Sequence, residues 1–183
     1  MRADDSRMMA ILYDPASYSH ASHIPDVFRG GEIVDATLLN LWLIRQQKLE
    51  PLPVDWHSDD DTLSRLLSQW YSLPAIAHLT GGYLLRQDLT RHGALLMSDP
   101  RLLAFISLPM IQPTAPPASL QVDTTSCGIS FILRQFPDLP AALRQRLLLH
   151  FPAGMPQVTR PDKKNLNNIN LLRMALTYAH HYY

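Results

Sequence analysis

The chain has 183 residues, of which 46% are hydrophobic and 17% charged, and its 16 Lys and Arg residues balance 16 Asp and Glu residues. This length and apolar content support a hydrophobic core and exclude disorder of the whole chain. The net charge of zero argues against a general nucleic-acid binder, which needs a basic surface. The single cysteine excludes an internal disulfide framework, and no apolar run approaches the ~18 residues of a membrane span. Because acids stand where a signal peptide is basic and then apolar, we expect a cytoplasmic protein without direct membrane insertion.

The apolar periodicity predicts a mainly α fold: one compact, irregular multi-helix domain over residues 1–183, with an extended N-terminal arm and a proline-rich break. The arm covers residues 11–28, which are rich in Tyr, His, Pro and Ser. A first long helix is predicted from Ile33 to Lys48. It ends before Pro51, because proline lacks the backbone N–H and clashes with the preceding turn. The apolar face of this helix, which we expect in the core, contains Val34, Leu38, Leu41, Trp42 and Ile44 or Arg45.

A capping residue and acidic residues mark the start of the next helix. Ser58 can cap the free N–H groups, and Asp59–Asp61 stand in the first turn, at the positive end of the helix dipole. One apolar stripe at helical spacing follows, made of Leu63, Leu66, Leu67, Trp70 and Leu73. Pro74 can open a new helix at its first position. The pair Gly81-Gly82 is predicted to break or loosen that helix, which Tyr83–His92 then resumes.

The second half of the chain is also predicted to be helical. Asp99-Pro100 is a cap followed by a first-turn proline, which opens a helix to Ser107. Four prolines mark residues 109–119 as a loop and as a possible subdomain boundary. Val122–Leu133 fits both strand alternation and a helical stripe, and we favour a helix because no partner strands are evident. Two further helices are predicted, from Leu139-Pro140 to His150 and from Lys164 to the C-terminus.

Charge is distributed unevenly along the chain. Residues 1–119 hold nine Lys and Arg against thirteen Asp and Glu, whereas residues 120–183 hold seven against three. Such asymmetry can steer two different partners to opposite parts of a protein. The alternative is that two short stretches differ by chance.

Motifs that would carry chemistry are weak. The sequence has no glycine-rich phosphate loop, no G-x-S-x-G and no H-E-x-x-H. Cys127 is either a nucleophile, which requires a nearby base, or a small buried thiol. His20 and His23 can bind a metal with Asp14 and Asp26, or they can form local hydrogen bonds. We assign no catalytic, metal-binding or cofactor-binding residue, and a small thiol- or metal-dependent enzyme that uses Cys127 or His20 and His23 stays as the alternative.

Two places are candidates for contact with a partner. Trp56 lies between two predicted helices, where a tryptophan is either a lid over the core or an exposed anchor. The arm offers tyrosines, which give a large contact area for little loss of entropy; it is either an interface or a clamp that seals the domain. The predicted partner-binding residues are Tyr13, Asp14, Pro15, Tyr18 and Trp56.

Three segments carry a family resemblance. Residues 66–96 read LLSQWYSLPAIAHLTGGYLLRQDLTRHGALL, in which a tryptophan is followed by Leu-Pro, Leu-x-Gly, Leu-Arg-x-Asp-Leu and Gly-Ala-Leu-Leu. Upstream stands Tyr13–Tyr18, with the pattern Asp-Pro-x-Ser-Tyr, and downstream Leu171–Ala179 contains Leu-x-Tyr-Ala. In this order the segments resemble the SctK family, the OrgA/MxiK-like accessory proteins of the type III secretion sorting platform.

The resemblance implies a helical, cytoplasmic and non-enzymatic protein without catalytic residues. Its implied partners are the cytoplasmic domain of an SctD-like inner-membrane ring protein and an SctQ-like pod protein. Such an adaptor would lie at the cytoplasmic face of the inner membrane through the secretion complex, and it would be needed for protein secretion and virulence. A secretion chaperone is a weaker alternative, since chaperones of that kind are usually more acidic than this chain.

Overall fold

A computed structural model of the chain describes residues 3–28, 35–89, 98–109, 123–154 and 166–182, and the regular elements within these ranges are helical. The α-helices are α1 (Ala3–Tyr13), α2 (Ala36–Gln46), α3 (Asp61–Ser68), α4 (Leu73–Leu84), α5 (Arg86–Leu89), α6 (Pro100–Ile106), α7 (Thr124–Gln135), α8 (Ala141–Leu149) and α9 (Leu166–Tyr182). The predicted mainly α class is therefore confirmed. No helix in the described ranges has the length and hydropathy that crossing a membrane requires.

The chain divides into two compact units. Unit 1 comprises Met1–Asp59 and Asp138–Met155, and unit 2 comprises Asp60–Pro137 and Pro156–Tyr183. The predicted single domain with a boundary at 109–119 stays a prediction, because residues 110–119 lie outside the described ranges.

The N-terminal arm differs in detail from the prediction. Residues 11–13 are the last turn of α1, and the chain then forms short 3₁₀ turns at Pro15–Ser17, Ala21–His23 and Asp26–Phe28. Proline at the start of the first turn fixes a helical φ angle there. The arm is therefore irregular, as predicted, but it is made of compact turns rather than extended chain.

A buried arginine holds unit 1 together. Arg146 of α8 is 3% exposed, and its Nε and Nη2 donate to the Leu12 carbonyl at 3.1 and 3.0 Å. Its Nη1 donates to the carbonyls of Glu50, at 2.7 Å, and of Ala142, at 2.9 Å. A planar group with five donors can satisfy three buried carbonyls at once, so Arg146 connects the end of α1 and the chain after α2 to α8.

Two glycines let α4 and α7 approach closely in unit 2. A Cβ atom on Gly81 would overlap the Thr124 carbonyl oxygen, and one on Gly128 would overlap the Ala77 carbonyl oxygen. The predicted break at Gly81-Gly82 is therefore wrong: α4 continues to Leu84. The absent side chains serve helix packing, and the close approach of the two helices offsets the helix propensity that glycine lacks.

Other elements agree with the sequence patterns. All five residues of the predicted α3–α4 stripe are buried, and Trp70 is 1% exposed. The residues favoured as helical over 122–133 lie mostly in α7. In α9, Leu172, Leu176 and Ala179 lie at helical spacing and are buried. The continuation of the predicted Tyr83–His92 helix beyond residue 89 lies outside the described part of the chain.

The predicted cap of α3 is displaced by two residues. Asp60, not Ser58, accepts hydrogen bonds from the backbone N–H groups of Thr62 and Leu63, at 2.8 and 3.1 Å. A carboxylate accepts two such bonds and also complements the helix dipole. Asp99 caps α6 as predicted, with a 2.9 Å bond from the Leu102 backbone N–H.

Candidate protein-interaction surfaces

The only cysteine of the chain is a buried thiol. Cys127 lies in α7 with no exposed surface, and burial raises the pKa of its thiol to about 11. A nucleophilic cysteine needs a lowered pKa, because the thiolate is the reactive form. The environment of Cys127 has the opposite effect, which agrees with the buried-thiol alternative.

The two histidines of the arm form local hydrogen bonds. His20 Nδ1 accepts from the Ser22 backbone N–H at 3.1 Å, and His23 Nε2 lies 2.8 Å from the Phe151 carbonyl oxygen, to which it donates. Asp14, which the metal alternative also needs, accepts from Asn40 Nδ2 at 2.8 Å. Across the described residues, no three His, Cys, Asp or Glu side chains are grouped for metal binding.

The predicted arm residues fall into two groups. Pro15 and Tyr18 are buried; the Tyr18 hydroxyl donates to the Ile11 carbonyl at 2.6 Å, and its ring stacks on His150 at 4.8 Å. These two side chains belong to the core of unit 1. Tyr13, by contrast, is 59% exposed and lies one turn after the exposed Met9 on the same face of α1. A partner contact by any of them stays a prediction.

Trp56 is half-buried and follows a protruding turn. Its backbone N–H donates to the Pro53 carbonyl at 3.1 Å, which closes the turn, and Val54 in that turn is 99% exposed. The structure thus presents Trp56 as partly covered and partly accessible. Its role as an anchor stays a prediction.

An apolar surface on α2 departs from the sequence prediction. Leu38 and Leu41, which we expected in the core, are 60% and 48% exposed, whereas Leu43 is fully buried. The helix is rotated about its axis from the predicted orientation, and the hydrogen bonds of Asn40 explain why. Its Oδ1 accepts from the Ala16 backbone N–H at 2.8 Å and its Nδ2 donates to Asp14. Both bonds require Asn40 to face the arm, so the residues on the opposite side of the helix face solvent.

Two half-buried aromatic rings extend this surface. Phe28 and Trp42 lie with ring centroids 5.7 Å apart and an interplanar angle of 59°. Leu38 stands one turn before Trp42 on the same face of the helix, since residues four apart are neighbours. We name Phe28, Leu38, Leu41 and Trp42 the α2 patch.

Unit 2 has an apolar surface of its own at the end of α9. The Tyr178 and Tyr182 rings are 4.4 Å apart, and Tyr182 is 54% exposed. The Tyr178 hydroxyl donates to the Arg101 carbonyl of α6 at 3.2 Å. We name Tyr178 and Tyr182 the α9 patch. The sequence pattern does not single out this pair of tyrosines.

A histidine joins three helices of unit 2. His78 Nε2 lies 2.9 Å from Asp99 Oδ2, and its Nδ1 lies 2.6 Å from Thr124 Oγ1. Burial raises the pKa of the Asp99 carboxyl, but hydrogen bonds from the Leu102 backbone and from His78 outweigh it and hold this pKa below its usual value. The backbone N–H groups of Thr125 and Ser126, which follow Thr124, donate to the carboxylate of Asp123, the cap of α7. These N–H groups therefore do not form an oxyanion hole beside the Thr124 hydroxyl. The row of Asp99, His78 and Thr124 instead links helix ends.

Exposed apolar and aromatic patches on helical units are typical of a protein-binding component. The family model described as bacterial type III secretion apparatus protein (OrgA_MxiK) matches residues 8–181. The oxygen-regulated invasion protein OrgA of Salmonella typhimurium strains 14028s, SL1344 and LT2 is 30% identical over 189 residues, covering 94% of this chain and 86% of OrgA. The chain therefore belongs to the OrgA/MxiK family of bacterial type III secretion apparatus proteins.

A solved structure shares the fold. It is the cytoplasmic domain of the T3SS sorting platform protein PscK from P. aeruginosa, with a TM-score of 0.59 and 21% sequence identity. The match covers 93% of this chain and 91% of that domain. The helical fold predicted from the sequence is thus that of a known type III secretion protein.

Proposed function

We propose that this protein is a non-enzymatic adaptor of the cytoplasmic sorting platform of type III secretion. It links the cytoplasmic domain of an SctD-like inner-membrane ring protein to an SctQ-like pod protein, and it is required for platform assembly and secretion. It acts at the cytoplasmic face of the inner membrane, where it is held by these partners.

The observation that carries this proposal is that each compact unit exposes an apolar surface. The α2 patch belongs to unit 1 and the α9 patch to unit 2. An adaptor needs two surfaces, and exposed aromatic and aliphatic side chains are the groups that dominate binding energy at interfaces. Family membership supports the secretion context, and the shared fold with PscK, a sorting platform protein, supports the place in the platform.

The test is co-purification of the tagged protein with each partner from the same secretion system, alongside a secretion assay. The wild-type chain should recover both proteins, and its deletion should abolish secretion. Recovery of neither partner would refute the adaptor function.

Paired variants separate the two surfaces. Leu38→Glu with Leu41→Glu should remove one partner and keep the other, and Tyr182→Glu should do the reverse. Val54→Glu is the matched control, because it places the same charge on an exposed apolar residue outside both patches. Loss of both partners from every variant with unchanged helix content would contradict the assignment of one surface to each partner.

The predicted arm contacts form a separate part of the proposal. Tyr13 presents its ring to solvent, and Asp14 is held half-buried by Asn40. We propose that Tyr13, Asp14 and Trp56 contribute to the surface formed by unit 1, and that the buried Pro15 and Tyr18 hold the arm in shape. An Asp14→Ala variant that keeps its melting temperature but loses a partner supports an interface role; a variant that only loses stability shows that the arm is a clamp.

A further inference from the structure

Two charged residues, one at each end of α2, are placed symmetrically about the middle of the helix. Asp35, the N-cap, and Arg45, in the last turn, are both exposed and stand five residues on either side of Asn40. At about 1.5 Å per residue, their backbones are separated by ~15 Å along the helix axis. The two exposed charges therefore have opposite sign at opposite ends of one apolar face.

The apolar residues have the same symmetry. Leu38 and Trp42 lie two residues on either side of position 40, and Leu39 and Leu41 lie one residue on either side. Leu39 is half-buried at the edge of the face. A second α2 placed antiparallel, with both helices centred at position 40, sets Leu38 against Trp42 of the other copy and Leu41 against Leu41 of the other copy.

We propose that the α2 patch binds a second copy of this chain through an antiparallel, twofold α2–α2 contact. A twofold interface requires that residue i meets residue j while j meets i. In this arrangement Asp35 of each copy faces Arg45 of the other, so the charges attract at both ends while the apolar residues cover each other. This inference goes beyond the adaptor function and does not depend on it.

The size of the contact sets its strength. The helix is 11 residues long, and a helix pair of this length buries less than the ~800 Å² per partner of a standard interface. The dimer is therefore expected to be weak. Such a contact forms at high local concentration and yields to a partner that binds the same patch more tightly.

The experiment is sedimentation equilibrium of the full chain over ~10 to 500 μM. Wild type should show a concentration-dependent monomer–dimer equilibrium, and Leu38→Glu should weaken it at least tenfold. Val54→Glu, the matched control in the same unit, should leave it unchanged. A wild-type chain that stays monomeric throughout overturns the proposal, and so does a dimer that Leu38→Glu does not weaken.

The register is tested by exchanging charges. Arg45→Asp alone places two acids together at each end and should weaken the dimer, and Asp35→Lys alone places two bases together. An equimolar mixture of these two variants restores opposite charges at both ends, so it should dimerise more strongly than either variant alone. A mixture no stronger than its components excludes the antiparallel register.

Asp35 also caps α2, with its carboxylate accepting from the Thr37 backbone N–H at 2.9 Å. Asp35→Asn keeps a good cap while removing the charge. It should weaken the dimer severalfold at low salt with unchanged helix content by circular dichroism, and added salt should reduce the difference from wild type. An Asp35→Asn dimer as strong as wild type at low salt contradicts the charge pairing.

Discussion

Acid should destabilise this protein through one buried histidine. His150 is 6% exposed in unit 1, its ring stacks on Tyr18, and burial lowers the pKa of its imidazole from 6.5 to about 3. The folded state therefore holds His150 neutral, while the unfolded chain takes up a proton below pH 6.5. The contribution of the neutral His150 to the stability of the fold is complete above the pKa that the imidazole has in the unfolded chain. It is lost progressively as the pH falls from about 6.5 towards the pKa in the folded state.

The magnitude follows from these two pKa values. Between pH 8 and pH 5 the unfolded imidazole gains almost a full proton and the folded one gains almost none. Linkage then gives a loss of about 2 kcal/mol in the free energy of unfolding. That is a substantial share of the ~5–15 kcal/mol that stabilises a typical domain.

The assay is urea unfolding of wild type and His150→Phe at pH 5, 6, 7 and 8. Phenylalanine keeps an aromatic ring against Tyr18 but does not titrate, so the wild type should lose about 2 kcal/mol more than the variant between pH 8 and pH 5. His181→Phe, at an exposed histidine, should keep the wild-type slope. Identical slopes for wild type and His150→Phe would refute this reasoning.

Three further predictions concern packing and chemistry. Arg146→Lys should lower the free energy of unfolding, measured by urea titration, by about 2–4 kcal/mol, because one ammonium group cannot reach all three carbonyls. A loss below about 0.5 kcal/mol would show that the guanidinium hydrogen bonds are dispensable. Gly128→Ala should lower the free energy of unfolding by about 3 kcal/mol or more, because α4 and α7 must separate to admit the methyl group. Gly154→Ala is the comparison: a Cβ there meets no neighbour but φ is +86°, so the loss should be about 1 kcal/mol. Cys127→Ala should keep full secretion at 25 °C; lost secretion from a variant with the wild-type melting temperature would restore the thiol-enzyme alternative.

Local patterns are sufficient for elements whose signals come from neighbouring residues. The stripe from Leu63 to Leu73 and the Asp99-Pro100 helix start depend on helix geometry and capping, which act over three or four positions. Both are predicted correctly. The cap of α3 is misplaced by two residues because Ser58 and Asp60 are both acceptable caps, and the sequence alone does not rank them.

Long-range contacts decide the remaining features. Gly81 and Gly82 suggest a break because the residues that pack on them, Thr124 of α7 and Leu102 of α6, come about forty and about twenty residues later. The predicted face of α2 is rotated because its leucines satisfy two helical registers, and hydrogen bonds from Asn40 to the arm select between them. The sequence pattern misses the α2 patch for this reason, and it misses the α9 patch because Tyr178 is held there by a hydrogen bond to α6, which is distant in the sequence.

The burial of Cys127 has a practical benefit. The chain has one thiol, and that thiol is protonated and shielded at neutral pH. A cysteine introduced on the surface would therefore be nearly the only thiol of the protein to react with maleimide dyes. A fluorophore attached at position 54 would then test, in permeabilised cells and in the otherwise native sequence, whether this protein is recruited to secretion machines.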